Sequence, residues 1–265
     1  MRKLTVRRPC PCCARQEVEP VVAWTFDEDN LTLRLGRCLN CKMVYVTNSD
    51  EVDMSNRRYV SWKPPTDDDV MTPEKLAHNQ GILDLVSKYI PPGASVLDYG
   101  AGYCGFLRVA KAEGYEVEGI NPCRYLADWA KRKLDIKVHD VFGQEFESDK
   151  QFDLIVSDQT FEHLENPAED LKKIYTLLKE GGIAYINVPN FSTYSRLLHG
   201  LDCIKDISHY NYFTPKTLAK LCGHPGFRIL RIAPTIGVGI VRRTIKSALD
   251  RLGVGDCSVL IQKIG

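Results

Sequence analysis

Ser95-Val96-Leu97-Asp98-Tyr99-Gly100-Ala101-Gly102-Tyr103-Cys104-Gly105-Phe106-Leu107 reads as a short buried strand, a glycine-rich turn and the opening of a helix. Glycines in such a turn let the backbone approach a ligand with no Cβ in the way. The N–H groups at the start of the following helix favour an anionic group such as a carboxylate. A glycine-rich turn alone is a weak signal, so its surroundings matter. A helix over Phe106 to Glu113 follows, then Gly114-Tyr115-Glu116-Val117-Glu118-Gly119-Ile120-Asn121 as a second strand. That spacing, about 20 residues, suits a ribose-reading residue at the end of the second strand.

Upstream, Pro91-Pro92-Gly93 breaks a helix that begins at Thr72-Pro73-Glu74 with a capping residue, a first-turn proline and an early acid. Its apolar face is Leu76, Ile82, Leu83, Leu85 and Val86. Downstream, Lys137-Val138-His139 reads as a third strand. Strands alternating with helices predict a parallel sheet. Phe227 to Ile232 and Cys257 to Gln262 read as two further strands. Arg242, Arg243 and Lys246 precede Leu249 to Leu252 on an expected helix between them, a charge run that reads as a solvated face or a contact to an anionic substrate.

The segment Asp98-x-Gly100-x-Gly102 resembles the first motif of the class I S-adenosylmethionine (SAM) methyltransferases. Gly119-Ile120-Asn121-Pro122, Phe152 to Leu164 and Leu178 to Asn190 are similar to the family's second-, fourth- and fifth-strand motifs, in the same order. The resemblance covers roughly residues 90–265. It implies a Rossmann-like α/β fold, a seven-stranded mixed sheet with helices on both faces. Asp98, Gly100 and Gly102 would surround the aminocarboxypropyl end of SAM, Asn121 would face the ribose, Asp140 and Val141 would border the adenine, and Ser157 to Gln159 would line the floor near the methyl group. Two positions depart from the family: Asn121 stands where an acid is usual, and Cys104 where a third glycine is common. An amide accepts only through its one oxygen, so weaker ribose binding is expected.

Cys10-Pro11-Cys12-Cys13 and Cys38-Leu39-Asn40-Cys41 each set two thiols across a tight turn, which lets a pair of thiolates share one face of a tetrahedral ion. Cys10, Cys13, Cys38 and Cys41 complete a zinc-type set, with Cys12 as the spare thiol. Val21 to Trp24 and Leu31 to Leu35, parted by the turn Asp27-Glu28-Asp29-Asn30, form a hairpin between the pairs. The span 14–37 exceeds the usual ~15–20 residues, and the hairpin absorbs the excess. So short a segment buries little core, which makes metal binding a large part of its folding free energy. The alternative is small buried or merely reduced thiols. Such a ribbon ahead of the methyltransferase motifs is like that of a bacterial subgroup assigned to C- or O-methylation of sugars and related small molecules.

The expected domains are a zinc ribbon at 1–47, a linker or lid at 48–74, rich in Asn, Asp, Ser and Pro, and a methyltransferase domain at 75–265. Tyr59 and Trp62 in the linker are candidates to cap a ligand or to pack on the surface. With 35 Lys and Arg against 34 Asp and Glu, the net charge of +1 argues against a dedicated nucleic-acid binder. The basic start, Met1 to Arg8, has no apolar stretch behind it, and no run approaches the ~20 apolar residues that span a bilayer. Ten cysteines, five of them before residue 42, fit a metal site in a reducing compartment, and the cytoplasm is expected.

Methyl transfer from a sulfonium requires a base only when the acceptor carries a proton that must leave. Two histidines stand out by position. His163 follows the fourth strand, on the side where open α/β sheets bind ligands, although in the family Glu162-His163 more often organises the floor. His209 lies in Ser208-His209-Tyr210-Asn211-Tyr212-Phe213-Thr214-Pro215, which resembles the family segment closing over the acceptor and leads into a helix from Lys216 to Cys222. Tyr210 and Tyr212 would bind a hydroxylated acceptor there, unless the loop is packed by its own aromatics. His78, His139, His199 and His224 read as surface or packing residues. The favoured activity is methylation of a sugar or nucleotide-linked sugar. The alternatives are an RNA base methyltransferase that holds RNA through Arg2, Lys3, Arg7 and Arg8, and a non-catalytic binding module, suggested by Asn121 and Cys104.

Overall fold

The computed structural model describes residues 3–26, 31–51, 71–192, 208–223, 226–235 and 255–265. Tyr59, Trp62, the turn at 27–30, His199, His224 and the basic segment expected near residues 242–252 lie outside the described residues.

The N-terminal segment is an antiparallel meander of β1 (Leu4–Thr5), β2 (Glu17–Phe26), β3 (Leu31–Cys38) and β4 (Val44–Val46). Each knuckle closes on a residue with left-handed backbone, Ala14 at φ 57° and Lys42 at φ 68°. These residues donate their N–H to Cys10 O and Cys38 O at 2.8 and 3.0 Å, which curls the chain back around the thiols.

The larger unit opens with α1 (Pro73–Val86), whose first turn is capped by the Thr72 side chain accepting from Lys75 N. Then come β5 (Ser95–Tyr99), α2 (Gly105–Ala112), β6 (Glu116–Ile120), α3 (Arg124–Leu134), β7 (Lys137–His139), β8 (Phe152–Asp158), α4 (Pro167–Leu177) and β9 (Leu178–Pro189). The chain continues with β10 (Asn211–Tyr212), α5 (Pro215–Cys222), β11 (Phe227–Thr235) and β12 (Asp256–Lys263). Seven strands pair in the order β11-β12-β9-β8-β5-β6-β7, parallel from β7 to β9, with β12 antiparallel to both neighbours.

Strand alternation divides the core. Val96, Leu154, Val156 and Tyr185 face α1, α2 and α3 through Ile82, Val86, Leu107 and Ala130. Leu97, Tyr99, Ile155 and Ile186 belong to the opposite cluster, with Leu171 and Ile174 of α4 and Leu218 and Leu221 of α5. Period two in the strands and helices on both faces are the same fact seen from two sides. Strand order reverses at β5, between β6 and β8, and a crevice forms at their carboxyl ends.

The ribbon does not stand apart. β10 joins its sheet, pairing Asn211 with Tyr45 and Tyr212 with Val44. Cys10, Cys38, Met43 and Tyr45 belong to the same buried cluster as α4 and α5. Arg8 is buried, donating to Val46 O at 2.7 Å, Glu165 O at 2.6 Å and Asn211 Oδ1 at 3.2 Å, with the Tyr45 and Tyr210 rings each 5.4 Å from its guanidinium carbon. Burying a guanidinium is tolerable because its two terminal nitrogens meet fixed acceptors.

At the other end of the sheet, burial raises the pKa of Glu118, but hydrogen bonds from His139 and Lys150, with Lys137 nearby, hold it down to about 2. Its contribution to stability is complete above the ordinary carboxylate range and is lost as pH falls through about 2. Glu118→Gln is therefore expected to cost about 1–2 kcal/mol in urea denaturation at pH 7. The gap from the parent should close in strong acid, and a gap independent of pH would refute the charge argument.

Candidate functional site

The turn after β5 is built by backbone geometry. Gly100 and Ala101 both donate their N–H to Ile120 O, at 3.1 and 2.9 Å, pinning the loop to the end of β6. Gly100 sits at φ 106° and Gly102 at φ 47°. A Cβ on Gly100 would lie 2.2 Å from Thr160 Oγ1, so the glycine is what lets this loop and the one after β8 meet. Cys104, at the third-glycine position, is itself left-handed at φ 60° and buried, starting α2 without a side-chain cap. A non-glycine residue in that region costs roughly 1–2 kcal/mol, so the turn keeps its shape despite the departure in sequence.

Three carboxyl groups converge at the carboxyl edge. Burial, and then the charge of Asp158, push the Asp98 carboxyl up to about 8. Asp158, ending β8, accepts from Asn187 Nδ2 at 2.7 Å on one oxygen and lies 2.7 Å from His78 Nε2 on the other. Burial and Asp158 raise Asp256, at the start of β12, to about 6, and Asn187 Nδ2 lies 3.4 Å from its Oδ2. His78 was expected at the surface or in packing. Instead α1 delivers it to Asp158, whose hydrogen bond raises its pKa. Its signal was absent from the sequence because the partner is 80 residues away.

Asn121, just past β6, is buried, and its Oδ1 has no hydrogen-bond partner among the described residues. Its backbone is fixed by donation to His139 O at 3.0 Å. An unpaired buried acceptor is costly, and a hydroxyl donor such as a ribose O–H would satisfy it. Asp140 is exposed and Val141 half-buried beyond β7. Ser157 differs from the expected floor residue: fully buried, it donates to Tyr99 O at 3.0 Å and stitches β8 to β5.

On the far side of the β8 loop, a 3-10 turn spans Phe161–His163. The 208–213 segment clamps onto it through Tyr210 N to Glu162 O at 2.8 Å and Asn211 Nδ2 to Phe161 O and Leu164 O at 3.1 and 2.6 Å. This brings the His163 and His209 rings to 4.6 Å, edge to face, beside the buried Glu162. One ligand atom from each of Glu162, His163 and His209 falls within 4.8 Å of the other two. The two tyrosines expected at the acceptor are used in packing: Tyr210 lies against Arg8, and Tyr212 is buried 5.0 Å from the Phe191 ring.

In the ribbon the four Sγ atoms of Cys10, Cys13, Cys38 and Cys41 gather within 4.8 Å. Cys10 and Cys41 stand 3.4 Å apart, and Cys13 and Cys38 3.5 Å. Two thiolates at about 2.3 Å from a tetrahedral ion stand roughly 3.8 Å apart, so the set fits one metal with small adjustment. Cys12 Sγ instead lies 3.7 Å from Thr217 O of α5.

A methyltransferase-domain family model matches residues 74–232. An uncharacterized methyltransferase of Bacillus mycoides (strain KBAB4) is 32% identical over 120 residues, covering 43% of this chain and 55% of the relative. The chain spans about half the length of the curated relatives it matches. A SAM-dependent methyltransferase from Archaeoglobus fulgidus superposes with a TM-score of 0.55 at 21% identity, over 71% of this chain and 94% of that one. The N-methyltransferase NodS from Bradyrhizobium japonicum WM9, solved with S-adenosyl-L-homocysteine, superposes at 0.55 with 13% identity, over 79% and 96%. No described helix is long and apolar enough to cross a membrane.

Proposed function

Because this chain belongs to the methyltransferase-domain family, we propose that it moves the methyl group of SAM to an oxygen or carbon of a small hydroxylated molecule, with a sugar or nucleotide-linked sugar as the favoured acceptor. The observation that carries this reading is the pairing, across the β8 loop, of an acid-lined crevice with two histidines brought together from distant segments. SAM bound there supplies an electrophilic methyl carbon. NodS, solved with bound S-adenosyl-L-homocysteine, supports a cofactor of this kind. Asp158 and Asp256 give the crevice the sign that suits an ammonium and a sulfonium, Asp98 joins them when a cation binds beside it, Asn121 accepts from the ribose, and Asp140 and Val141 flank the base.

His163 and His209 occupy the acceptor side. His163 Nδ1 lies 3.0 Å from Ser208 O and 3.1 Å from Ser208 Oγ, contacts that hold the ring in place. His209 receives the acceptor's proton, and alignment supplies the rest of the acceleration. His209→Asn is expected to lower turnover about 100-fold or more at saturating acceptor, with SAM affinity unchanged. The assay is uptake of labelled methyl from SAM into metabolite extracts, then into the purified acceptor, and undiminished turnover sinks the base assignment.

The Asp98 carboxyl, raised to about 8, is neutral at pH 7, and a cationic ligand beside it favours the ionised form. SAM binding should therefore release a proton, its affinity rising up to ~tenfold per pH unit until about 8. Calorimetry in buffers of differing ionisation enthalpy reads this directly. Equal heats in all buffers would contradict it, and no heat at high micromolar SAM would favour a non-catalytic module.

In this reading the four cysteines hold a structural zinc ion, and their reduced state suits the cytoplasm. Nucleic acid is disfavoured as acceptor: Arg8 is buried, Lys3 pairs with Glu17, and Arg7 lies 3.8 Å from Asp50.

A further inference from the structure

We propose that Glu162, His163 and His209 form a second metal site, distinct from the cysteine cluster, which takes a divalent first-row ion on the acceptor side of the crevice. One ligand atom from each residue lies within 4.8 Å of the other two. His163 Nε2 and Glu162 Oε1 are 3.7 Å apart, too far for a hydrogen bond. That separation is close to what one ion requires: ligands bound at about 2.1 Å and subtending 90–120° stand roughly 3.0–3.6 Å apart.

The surroundings prepare the ligands. The Ser208 carbonyl and hydroxyl hold His163 Nδ1 at 3.0 and 3.1 Å, the arrangement by which outer partners orient a metal-bound histidine, and Nε2 lies on the side of Glu162. Glu162 lies almost wholly out of solvent, where a carboxylate is stable only beside positive charge or donors. His209 is carried in by a segment anchored to the backbone of the Phe161–His163 turn, so the third ligand is held by main-chain bonds and not by its own rotamer alone. Two imidazoles and one carboxylate suit zinc, iron, cobalt or nickel over magnesium or calcium, and three protein ligands leave positions for water and substrate.

The proposal rests on reading this loop as the acceptor side and changes one role there. With the ion in place, the histidine nitrogens are ligands and do not receive the acceptor's proton. The acceptor oxygen takes an open position, its O–H bond breaks and the proton passes to water; the alkoxide, stabilised by the ion's charge, bonds to the methyl carbon as the C–S bond of SAM breaks and its electron pair returns to sulfur, leaving S-adenosyl-L-homocysteine.

The test is cobalt titration of the full chain already holding one zinc ion in the ribbon. A second equivalent should bind with weak visible bands and without the intense near-ultraviolet thiolate-to-cobalt absorption that cysteine ligation gives. Glu162→Gln and His209→Ala should each weaken that second equivalent about tenfold or more while retaining the zinc. If Glu162→Gln fails to fold, the half-buried His209 supplies the deciding variant. Absence of a second equivalent in the parent protein, or its persistence in His209→Ala, overturns the site. SAM calorimetry on the same samples keeps the two readings apart: heat with SAM but no cobalt uptake removes the metal and leaves the methyltransferase, whereas cobalt uptake without SAM heat does the reverse.

Discussion

Replacing Gly100 by alanine is expected to abolish SAM binding at high micromolar ligand and to cost about 3 kcal/mol or more of stability. Two independent terms act at this position. Its φ of 106° is a conformation that L side chains rarely adopt, and forcing alanine into it strains the turn that follows β5. The added Cβ would also lie 2.2 Å from Thr160 Oγ1 and 2.7 Å from Thr160 Cγ2, distances at which something must shift. Relief by moving the turn would break the Gly100 and Ala101 bonds to Ile120 O and carry Asp98 and Asn121 out of register. Relief by moving Thr160 would disturb the turn bearing Glu162 and His163. The double variant Gly100→Ala/Thr160→Ala should recover part of the stability, because it removes the collision and leaves the backbone strain, and the unrecovered part measures that strain. A single variant that binds SAM within about threefold of the parent would show that this turn is not the cofactor cradle.

The second large effect concerns the ribbon. If the four cysteines hold zinc as proposed, Cys41→Ser or chelator treatment is expected to leave SAM affinity within about threefold while lowering methyl transfer about 100-fold or more. Metal binding to a four-cysteine set of this kind is worth about 10–16 kcal/mol, nearly all of it spent as folding free energy. Among the described residues of the ribbon, only a modest set, including Val18, Met43 and Tyr45, is buried in the shared core. What depends on it is not local. β4 pairs with β10, Val46 N donates to Tyr210 O at 2.9 Å, and Arg8 is held between Tyr45 and Tyr210. Those contacts fix the segment that carries His209, whereas Asp98 lies in β5 and Asn121 just past β6 in the other sheet. Binding of cofactor and turnover of acceptor should therefore separate when the ribbon unfolds. Loss of both together, or of neither, would mean that the ribbon does not position the acceptor loop.

Much of this molecule was legible because its signals are short-range. The left-handed glycines of the first turn, the thiol pairs and the capped start of α1 depend on a few neighbouring residues, and β7 lies where its three residues were expected. Even Cys104, which breaks the glycine pattern, keeps the left-handed turn. The sites that remained hidden are built from residues far apart in the chain. His78 reaches Asp158 only because α1 packs at that edge of the sheet, and Ser157 turns inward because strand alternation points it at β5. Tyr210 and Tyr212 have the residue types of a binding loop, yet the ribbon and Phe191 take them for packing.

The amino-acid sequence by itself determined the first strand, glycine turn and helix of the large unit, the capped start of α1 and the four metal-type thiols, since each follows from local backbone freedom and periodicity. Tertiary structure alone decided that β10 completes the ribbon's sheet and that His163, His209 and Glu162 share one small volume. The physical reason is that such meetings depend on which strands become neighbours and which faces are buried, a choice made by the packing of the whole core and not by any one segment.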